Sequence, residues 1–587
     1  MYKYKRGINN IEQAKNLEFC LSNNLNTYLS LTACLETKKP NHGLYIRNNK
    51  VMVEDIYEKI DIGSEIYDIS NFSTSTKNMT SDEYICKIDL LENIFEYDVN
   101  GVSYTKKINF VENEDIMYID YNINNNLNKK VKFTVIPLLT YRDLFVMKDA
   151  NKLKFSSRPV SDGFLYNLSV VDEQNLVIKL SNAKIDNNYS YITNVKHEYI
   201  DDELVKKIYL EDLYISSKFE INLKAKEIKN FRIYIGDKDF NIEEYDNANI
   251  EKKEDRLNAL VKDVKQEYVE LKDFICSIDS LDMNSKLINE MPYKKTCDKD
   301  ICGLIDITQS IEGAYLITGK IKEAKRLLIK INRCIEDIDI DNIDSIRLKL
   351  WYIESVNRLI QKDGKKNIDE FFEIIQKYII DINKKIENNE TEYLSYIDVI
   401  SLWYNALKIY ESMLNSKKIE CNGTYEKAKK VQDKIIDEFW YEDKRLMRKD
   451  LKETEVYATI DMIYVLSLSY QCVSDYNVTV KLLDTIFKEL YTPYGLRKIS
   501  KNSPNYDFCV YPKYMAHFVK ANLRQNGVTL ASQKIAYNLV KELMMDINKY
   551  VNGGVKKVYS EKGININTTT YDLLTNAEMI RLYDMLI

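Results

Sequence analysis

Apolar and polar residues alternate with a period of two over much of residues 25–240. Val131, Phe133 and Val135 are separated by Lys132 and Thr134. The same alternation recurs in two later runs, Phe219–Leu223 and Phe231–Ile235. A period of two with one polar face is typical of antiparallel strands that pack on one side. We therefore expect an N-terminal antiparallel β-sandwich of about a dozen or more strands.

The pattern changes to a helical period after about residue 250. Ala324, Leu327, Leu328 and Ile331 follow the spacing i, i+3, i+4, i+7, which is typical of an amphipathic helix. Comparable stripes recur near residues 256–278, 304–318, 345–361, 367–386, 396–413, 424–438, 456–472, 477–489, 511–525, 529–547 and 570–586. About a dozen helices suit a closed ring of helical hairpins, an (α/α)6 toroid. An open α-solenoid has the same number of helices, although no fixed repeat length is visible.

The two patterns predict an α+β multidomain protein with three parts. Residues 1–245 are expected to form the β-sandwich domain. Residues 246–283 are expected to be a linker with a connecting helix, and residues 284–587 the toroid domain. A chain of 587 residues has room for both domains.

Charge and cysteine usage narrow the class of protein. Lys and Arg number 84 against 90 Asp and Glu, a net charge of −6 without a basic stripe, so nucleic acid is not an expected partner. No run reaches the roughly 18 apolar residues of a membrane span, and no signal peptide is visible, so no membrane partner is expected. The ten cysteines lack CxxC spacing, which predicts reduced thiols, no zinc and a cytoplasmic location.

The chain contains 45 Tyr but only 3 Trp. Tyrosine can line grooves that stack sugars or bases. The alternative is codon bias, because Lys, Asn and Ile are also plentiful while Pro and Gly are scarce. The tyrosines are spread along the whole length, which favours codon bias.

Three histidines leave little scope for histidine-based catalysis. His42, His197 and His517 are all expected to be structural. No GxSxG, Walker or GxGxxG pattern is present, so the sequence contains no motif that indicates acyl transfer, nucleotide hydrolysis or dinucleotide chemistry. Carboxylate chemistry remains, because two carboxylates that flank a glycosidic bond suffice to hydrolyse it.

Four segments resemble, in the same order, motifs of one enzyme family. Asn41–Leu44, Tyr141–Asp143, Ser401–Leu407 and Leu490–Arg497 are similar to that family's YHGL, YRD, ALWYNAL and LLTPYGLR motifs. The family is that of the bacterial and archaeal glycogen debranching enzymes, which are amylo-α-1,6-glucosidases. The resemblance implies a β-sandwich followed by an (α/α)6 toroid, a branched α-glucan such as glycogen or limit dextrin as partner, and no metal or cofactor. It implies nothing about the oligomeric state.

The family's acid lies in a WGRDTMIALPG segment that precedes a VTGR turn. Aligned on Leu316–Lys320, that position is Asp306, although the flanking Trp and Arg are replaced. Enclosure by its apolar neighbours would raise the pKa of Asp306, which suits a general acid. The alternative is that Asp306 is the N-cap of a helix, a common place for Asp without catalysis.

The family's base is a Glu in a SEIFDG turn shortly before the last helix. Tyr559–Gly563 occupies that place, which makes Glu561 the expected base. Ala577–Arg581 resembles the family's final AEVLR helix. The alternative is that Glu561 is a solvated loop charge.

By the same resemblance, four further residues are expected to bind substrate: Asp398, Trp403, Arg497 and Tyr511. Tyr511 stands where the family has a Trp, and Asp398 replaces a Glu. Trp403 is alternatively a core aromatic of its helix. The family's TWMDA and RPNQ segments are replaced by Asn388–Glu392 and Thr459–Met462.

The resemblance predicts a glycoside hydrolase that removes α-1,6-linked glucosyl branches with inversion, with Asp306 as acid and Glu561 as base. The chain has no room for the barrel that carries glucanotransferase activity in longer relatives, so a glucosidase alone is expected. The lost Trp and Arg residues would have positioned the scissile bond. A catalytically weak or inactive relative that binds glucan or a partner is therefore one alternative, and a helical scaffold without a sugar site is another.

Overall fold

The structure is a computed structural model. It describes residues 2–246, 301–561 and 572–586, except for short gaps at 23–26, 49, 71, 76–77, 80, 91, 112–113, 145, 170–173, 181–183, 187–188, 201–205, 216, 339–341, 548 and 551–553. Backbone contacts divide the chain into two compact units, Met1–Lys286 with Ile547–Gly554, and Leu287–Asp546 with Val555–Ile587. The connecting helix predicted near residues 256–278 lies outside the described residues.

The first unit is built mainly of strands. In its described part these are β1 (Lys3–Lys5), β2 (Glu18–Ser22), β3 (Thr27–Thr32), β4 (Gly43–Arg47), β5 (Lys50–Ile62), β6 (Glu65–Ile69), β7 (Phe72–Ser73), β8 (Asn78–Met79), β9 (Ile85–Asp89), β10 (Ile94–Val99), β11 (Val102–Phe110), β12 (Ile116–Asn125), β13 (Val131–Asp143), β14 (Ser156–Val160), β15 (Gly163–Ser169), β16 (Gln174–Leu180), β17 (Lys184–Asp186), β18 (Ser190–Ile200), β19 (Lys206–Ile215), β20 (Lys218–Leu223) and β21 (Ile228–Gly236). Two short helices, α1 (Ile11–Asn16) and α2 (Ile242–Asp246), accompany them.

Two large antiparallel sheets pack face to face in this unit. A nine-stranded sheet has the order β1-β9-β10-β11-β12-β21-β16-β15-β14. A ten-stranded sheet follows the path β17-β20-β13-β5-β4-β3-β2, with β6, β18 and β19 paired beside it. Tyr104 and Tyr121 of the first sheet contact Phe133 of the second, with ring centroids 5.3 and 5.8 Å apart. The predicted β-sandwich is confirmed, and its core lies between the two sheets.

A buried ionic cluster joins the two N-terminal motif segments. Arg142 donates to the Glu54 carboxylate at 2.8 Å and to the carbonyl of His42 at 3.2 Å. Its Nε also lies 2.8 Å from Glu211 Oε2, and His197 Nε2 lies 3.3 Å from that same oxygen. A buried charge is costly unless it is paired. The two motifs therefore serve the core of the sandwich.

The second unit is mainly helical. Its described helices are α3 (Ile301–Ile311), α4 (Ile321–Asp337), α5 (Ile343–Asp363), α6 (Ile368–Asn388), α7 (Glu390–Tyr393), α8 (Ile397–Ser416), α9 (Asn422–Lys434), α10 (Tyr464–Ser467), α11 (Tyr476–Glu489), α12 (Met515–Asn526), α13 (Leu530–Met545) and α14 (Leu573–Leu586). Its short strands are β22 (Trp440–Tyr441), β23 (Leu446–Met447), β24 (Tyr491–Thr492), β25 (Gly495–Arg497), β26 (Cys509–Tyr511) and β27 (Tyr559–Ser560). None of the described helices has the length and apolar character needed to cross a membrane.

Six of these helices form a closed inner ring. In the order α3, α5, α8, α10, α12 and α14, each packs on the next, and α14 packs on α3. The longer inner helices α8 and α14 are buried on nearly every side, whereas outer helices such as α4 and α6 bury one face. Helices that are buried all round belong inside a ring, and amphipathic helices belong outside it. The closure confirms the (α/α)6 toroid and rules out the open solenoid.

The ring closes through a glycine. Gly313 lies in the π-helical turn that continues α3, and a Cβ at this position would lie 1.8 Å from the carbonyl oxygen of Ala577 in α14. Any larger residue would force the two helices apart. The contact between α14 and α3 therefore depends on this glycine.

One inner helix is much shorter than its pattern predicts. Residues 456–472 were expected to be helical, but only α10 and the preceding 3₁₀ turn Ile460–Ile463 adopt helical geometry. The segment is apolar and buried over most of its length. A short, fully buried apolar run carries no period that marks where a helix ends.

Glu354 of α5 is the central polar residue of the ring. It is fully buried and accepts hydrogen bonds of 2.9 Å from Arg358, Asn405 and Ser469. Burial alone would raise the pKa of Glu354, but the charge of Arg358 and these hydrogen bonds lower the pKa to about 2. The carboxylate thus links α5 to α8 and to the segment that follows α10.

Replacing Glu354 should destabilise the ring strongly. Glu354→Gln is expected to lower the free energy of unfolding by about 3 kcal/mol, because Arg358 would lose the more deeply buried of its two carboxylate partners and keep only Glu312. Urea unfolding at pH 7, followed by circular dichroism, measures the loss. Glu336→Gln is the matched control, since Glu336 pairs with Lys377 at the surface and should cost less than about 1 kcal/mol. Equal losses in the two variants would contradict the central role of Glu354.

Candidate functional site

Residues from the beginnings of four inner helices line one cavity. Arg347 and Asp398 lie in the first two turns of α5 and α8, Asp461 lies in the turn before α10, and Tyr514 directly precedes α12. The cavity has a volume of about 820 Å³. This is within the range of small-molecule sites.

The remaining wall of the cavity comes from two connecting segments. They lie within residues 449–461 and 498–507, and most of their lining residues are charged or polar. Lys449 and Lys498 face the same space as Asp461 and Asp507. A wall of mixed charges and few apolar groups suits a neutral ligand that is rich in hydroxyl groups.

Arg347 holds Asp398 by two hydrogen bonds. Its Nε donates to Oδ2 at 2.6 Å, and its Nη2 donates to Oδ1 at 3.2 Å. Its Nη1 donates to Asp344 at 2.8 Å. A bidentate pair fixes both position and orientation. Because carboxylate oxygens have further lone pairs, the fixed Asp398 can still accept from a ligand hydroxyl.

Asp461 is a cavity residue that sequence comparison did not single out. Burial, and then the neighbouring carboxylate of Asp398, raise the pKa of Asp461 to about 6. This side chain therefore holds its proton more tightly than an ordinary Asp. Its only signal in the sequence was a lone acid within the apolar run 458–468, where the family's RPNQ segment is replaced.

Asp306 lies well inside a helix. It is the sixth residue of α3, so the N-cap alternative is wrong. Burial raises the pKa of Asp306, and the ammonium group of Lys513, 3.5 Å from its Oδ1, opposes that rise. The side chain is 35% exposed. Asp306 is thus a partly accessible carboxyl that holds its proton more tightly than an ordinary Asp.

Glu561 directly follows β27 and is surrounded by donors. Arg497 Nε lies 2.6 Å from its Oε1, and Lys501 Nζ lies 2.6 Å from its Oε2. The hydroxyl of Tyr506 also donates to Oε1. Burial would raise the pKa of Glu561, but the hydrogen bonds from Arg497 and Lys501 lower it. Glu561 is therefore held as a carboxylate, and Arg497 positions it.

The small sheet β24-β25-β26-β27 separates the two predicted catalytic residues. In its register Arg497 pairs with Val510, and Cys509 pairs with Ser560. Because the strands are antiparallel, Glu561 emerges beside the start of β26, whereas Lys513, the partner of Asp306, follows its end. As far as the chain is described, neither Asp306 nor Glu561 lines the cavity. The structure brings Arg497 to Glu561 but gives Asp306 separate partners.

The two predicted aromatic contacts offer no open ring face. Trp403 is only 2% exposed and lies in the core of the toroid. Tyr511 is 8% exposed, its hydroxyl donates to Asp507 at 2.9 Å, and the ammonium group of Lys498 lies 4.1 Å from its ring centroid. Trp403 therefore has the position of a core aromatic of its helix, which was the alternative to a substrate contact.

Potential metal ligands come together at one place in the described chain. The ligand atoms of Glu54, His197 and Glu211 lie within 4.8 Å of one another. The guanidinium group of Arg142 already supplies a cation to both carboxylates there. We therefore assign no metal to this cluster.

Two family models match the chain. The model described as glycogen debranching enzyme N terminal matches residues 18–229, and the model described as amylo-alpha-1,6-glucosidase matches residues 391–561. Together they cover more than half of the chain. A search of curated protein sequences finds no significant match.

Several solved structures are similar to this one. A bacterial glucoamylase complexed with acarbose shares 10% identity and a TM-score of 0.57, over 97% of this chain and 94% of that chain. A kojibiose phosphorylase from the human microbiome shares 8% identity and a TM-score of 0.47, over 99% of this chain and 88% of that chain. A wild-type glycosidase shares 11% identity and a TM-score of 0.38, over 55% of this chain and 98% of that chain.

The likeness to the glucoamylase extends over both the sandwich and the toroid of this chain. The family models add the enzyme family, since one falls on the sandwich and the other on the toroid. The chain therefore belongs to the glycogen debranching enzyme family of glycoside hydrolases.

Proposed function

We propose that this protein hydrolyses α-1,6-linked glucosyl branches of an α-glucan such as glycogen or limit dextrin, with inversion of configuration. The observation that carries the proposal is the opposite environment of two carboxyl groups. Burial raises the pKa of Asp306, whereas hydrogen bonds from Arg497 and Lys501 outweigh burial and lower the pKa of Glu561. Environments that push two carboxyl pKa values apart are typical of a general acid and a general base.

Each carboxyl has one role in this reaction. Asp306 donates its proton to the glycosidic oxygen of the departing chain. Glu561 accepts a proton from the water that attacks the anomeric carbon from the opposite face. In inverting enzymes the two carboxyl groups lie about 6.5–9.5 Å apart, which leaves space for that water. Arg497 acts as a positioning residue, because it fixes the carboxylate of Glu561.

The cavity supplies a place for a sugar residue of the glucan, since its lining residues Tyr514 and Asp507 directly follow Lys513 and Tyr506, the partners of Asp306 and Glu561. Its carboxylate Asp398 is fixed by Arg347 and accepts from sugar hydroxyls, and Asp461 lies beside it. Hydroxyl groups that are paired with fixed acceptors hold the sugar in one orientation. Orientation of this kind favours attack at one face.

The second candidate function is glucan binding without turnover. Three donors occupy the carboxylate of Glu561, and Lys513 pairs with Asp306. A base that is engaged in this way has fewer lone pairs for water. This observation favours glucan binding without turnover.

Removal of either carboxyl should abolish turnover while leaving glucan binding. Asp306→Asn and Glu561→Gln are each expected to lower kcat for glucose release from a branched limit dextrin by about 10²–10⁴-fold. The Kd for the same dextrin, measured by calorimetry, should stay within about threefold. Glu336→Gln, at an exposed ion pair, is the control and should retain full activity.

The outcomes of this assay separate the candidates. Wild-type rates in Asp306→Asn would overturn the acid assignment. Dextrin binding without glucose release by the native protein would establish the binding function instead. An inverting mechanism also requires that the first glucose seen by ¹H NMR is the β anomer, and initial α-glucose would contradict it.

The pH profile tests the acid and the base separately. Lys513→Met removes the cation that opposes the rise in the pKa of Asp306. A general acid works while it is protonated, so the alkaline limb of kcat/KM should move to higher pH. In the matched control Lys501→Met, the pKa of Glu561 should rise, which moves only the acidic limb to higher pH. An unchanged alkaline limb in Lys513→Met would contradict the role of Asp306.

A further inference from the structure

Phe508 is an exposed aromatic residue beside the cavity. Its side chain is 66% exposed. It directly follows the lining residues Ser503, Pro504, Asn505 and Asp507. Among the exposed large apolar residues of the described chain, it is the one whose sequence neighbour lines the cavity. A solvent-exposed ring therefore directly follows a wall residue of the cavity in the sequence.

The backbone at Phe508 is also unfavourable. Its φ is +58°, a left-handed conformation in which a bulky side chain meets the backbone and which glycine or asparagine adopts more easily. The preceding Asp507 fixes this turn, because its carboxylate accepts from the backbone of Cys509 at 3.1 Å and from Tyr511 at 2.9 Å. Phe508 thus combines a strained backbone with an exposed apolar ring. Both the left-handed φ and the exposure of an apolar ring to water are unfavourable for the fold.

Tyr506 supports the ring of Phe508 from one side. The two ring centroids lie 4.7 Å apart at an angle of 50°, within the range of favourable aromatic pairs. The hydroxyl of Tyr506 donates to Glu561. The pair is therefore connected to the carboxylate that serves as the proposed base, while the exposed face of Phe508 remains open.

We propose that Phe508, supported by Tyr506, is a platform on which a sugar ring of the α-glucan chain stacks outside the cavity. The C–H faces of a pyranose are apolar, so an exposed aromatic ring provides them with a contact that polar walls do not. The two aromatic residues that the sequence predicts as sugar contacts do not provide this contact, because Trp403 is buried and Lys498 covers Tyr511. The platform rests on the proposed substrate class and does not require that the bond is cleaved.

The test compares a glucan chain with free glucose. Phe508→Gly is expected to bind maltoheptaose about 5–20-fold more weakly in calorimetry, while its affinity for glucose changes by less than about twofold. Phe508→Trp should bind maltoheptaose at least as tightly as the native protein. The midpoint of thermal unfolding of Phe508→Gly should stay within about 1 °C or rise, because relief of the left-handed strain offsets the greater freedom of glycine.

Two control variants separate the loss of the platform from the relief of backbone strain and from the loss of an exposed aromatic ring elsewhere. Lys418→Gly relieves the same strain, a φ of +59° at an exposed turn, and Tyr476→Ala removes an aromatic side chain that is 69% exposed on α11. Neither variant should change the affinity for maltoheptaose.

Three results are decisive. Unchanged maltoheptaose affinity in Phe508→Gly, or equal weakening of glucose and maltoheptaose, would overturn the platform. A native protein that binds no α-glucan would overturn both the platform and the proposed substrate. Maltoheptaose binding that depends on Phe508, in a protein that releases no glucose from branched dextrin, would support the platform and contradict only the hydrolysis.

Discussion

The buried carboxylate of Glu354 is the interaction on which the toroid depends. It ties α5 to α8 and to the segment after α10. Its partner Arg358 also pairs with Glu312, in the turn that continues α3. Arg581 of α14 lies 3.4 Å from the same Glu312 carboxylate. A buried polar network is favourable only when its members are satisfied together, so ring closure and charge pairing stabilise one another.

Closure of the ring creates the site. It gathers the first turns of the inner helices, and with them Arg347, Asp398 and Asp461, around one cavity. The small sheet then holds Glu561 among cations, while Asp306 of α3 is partly buried and paired with Lys513. Burial and neighbouring charges thereby shift the pKa values of the two carboxyl groups in opposite directions. This difference is what connects the fold to glycoside hydrolysis in the proposed function.

The proposed base and its partner Arg497 carry local signals in the sequence. The turn before the last helix identifies Glu561, and the Leu490–Arg497 motif identifies its partner Arg497. Asp461 and Phe508 could not be found in this way. The pKa of Asp461 depends on burial and on Asp398, a residue of another helix, and no sequence pattern marks the exposure or the left-handed φ of Phe508. Trp403 shows the converse, since a well-matched motif residue occupies the core.

The sequence by itself determined the two classes of secondary structure and their order, because the period of two and the helical period are properties of neighbouring residues. Its motifs also determined the family. Only the tertiary structure decided that the helices close into a ring, since closure depends on the approach of Gly313 to Ala577 and on charges that meet across helices. It also decided which acids share a cavity and which aromatic ring stays open to solvent. Burial and electrostatic coupling act through space, and a linear pattern does not contain those distances.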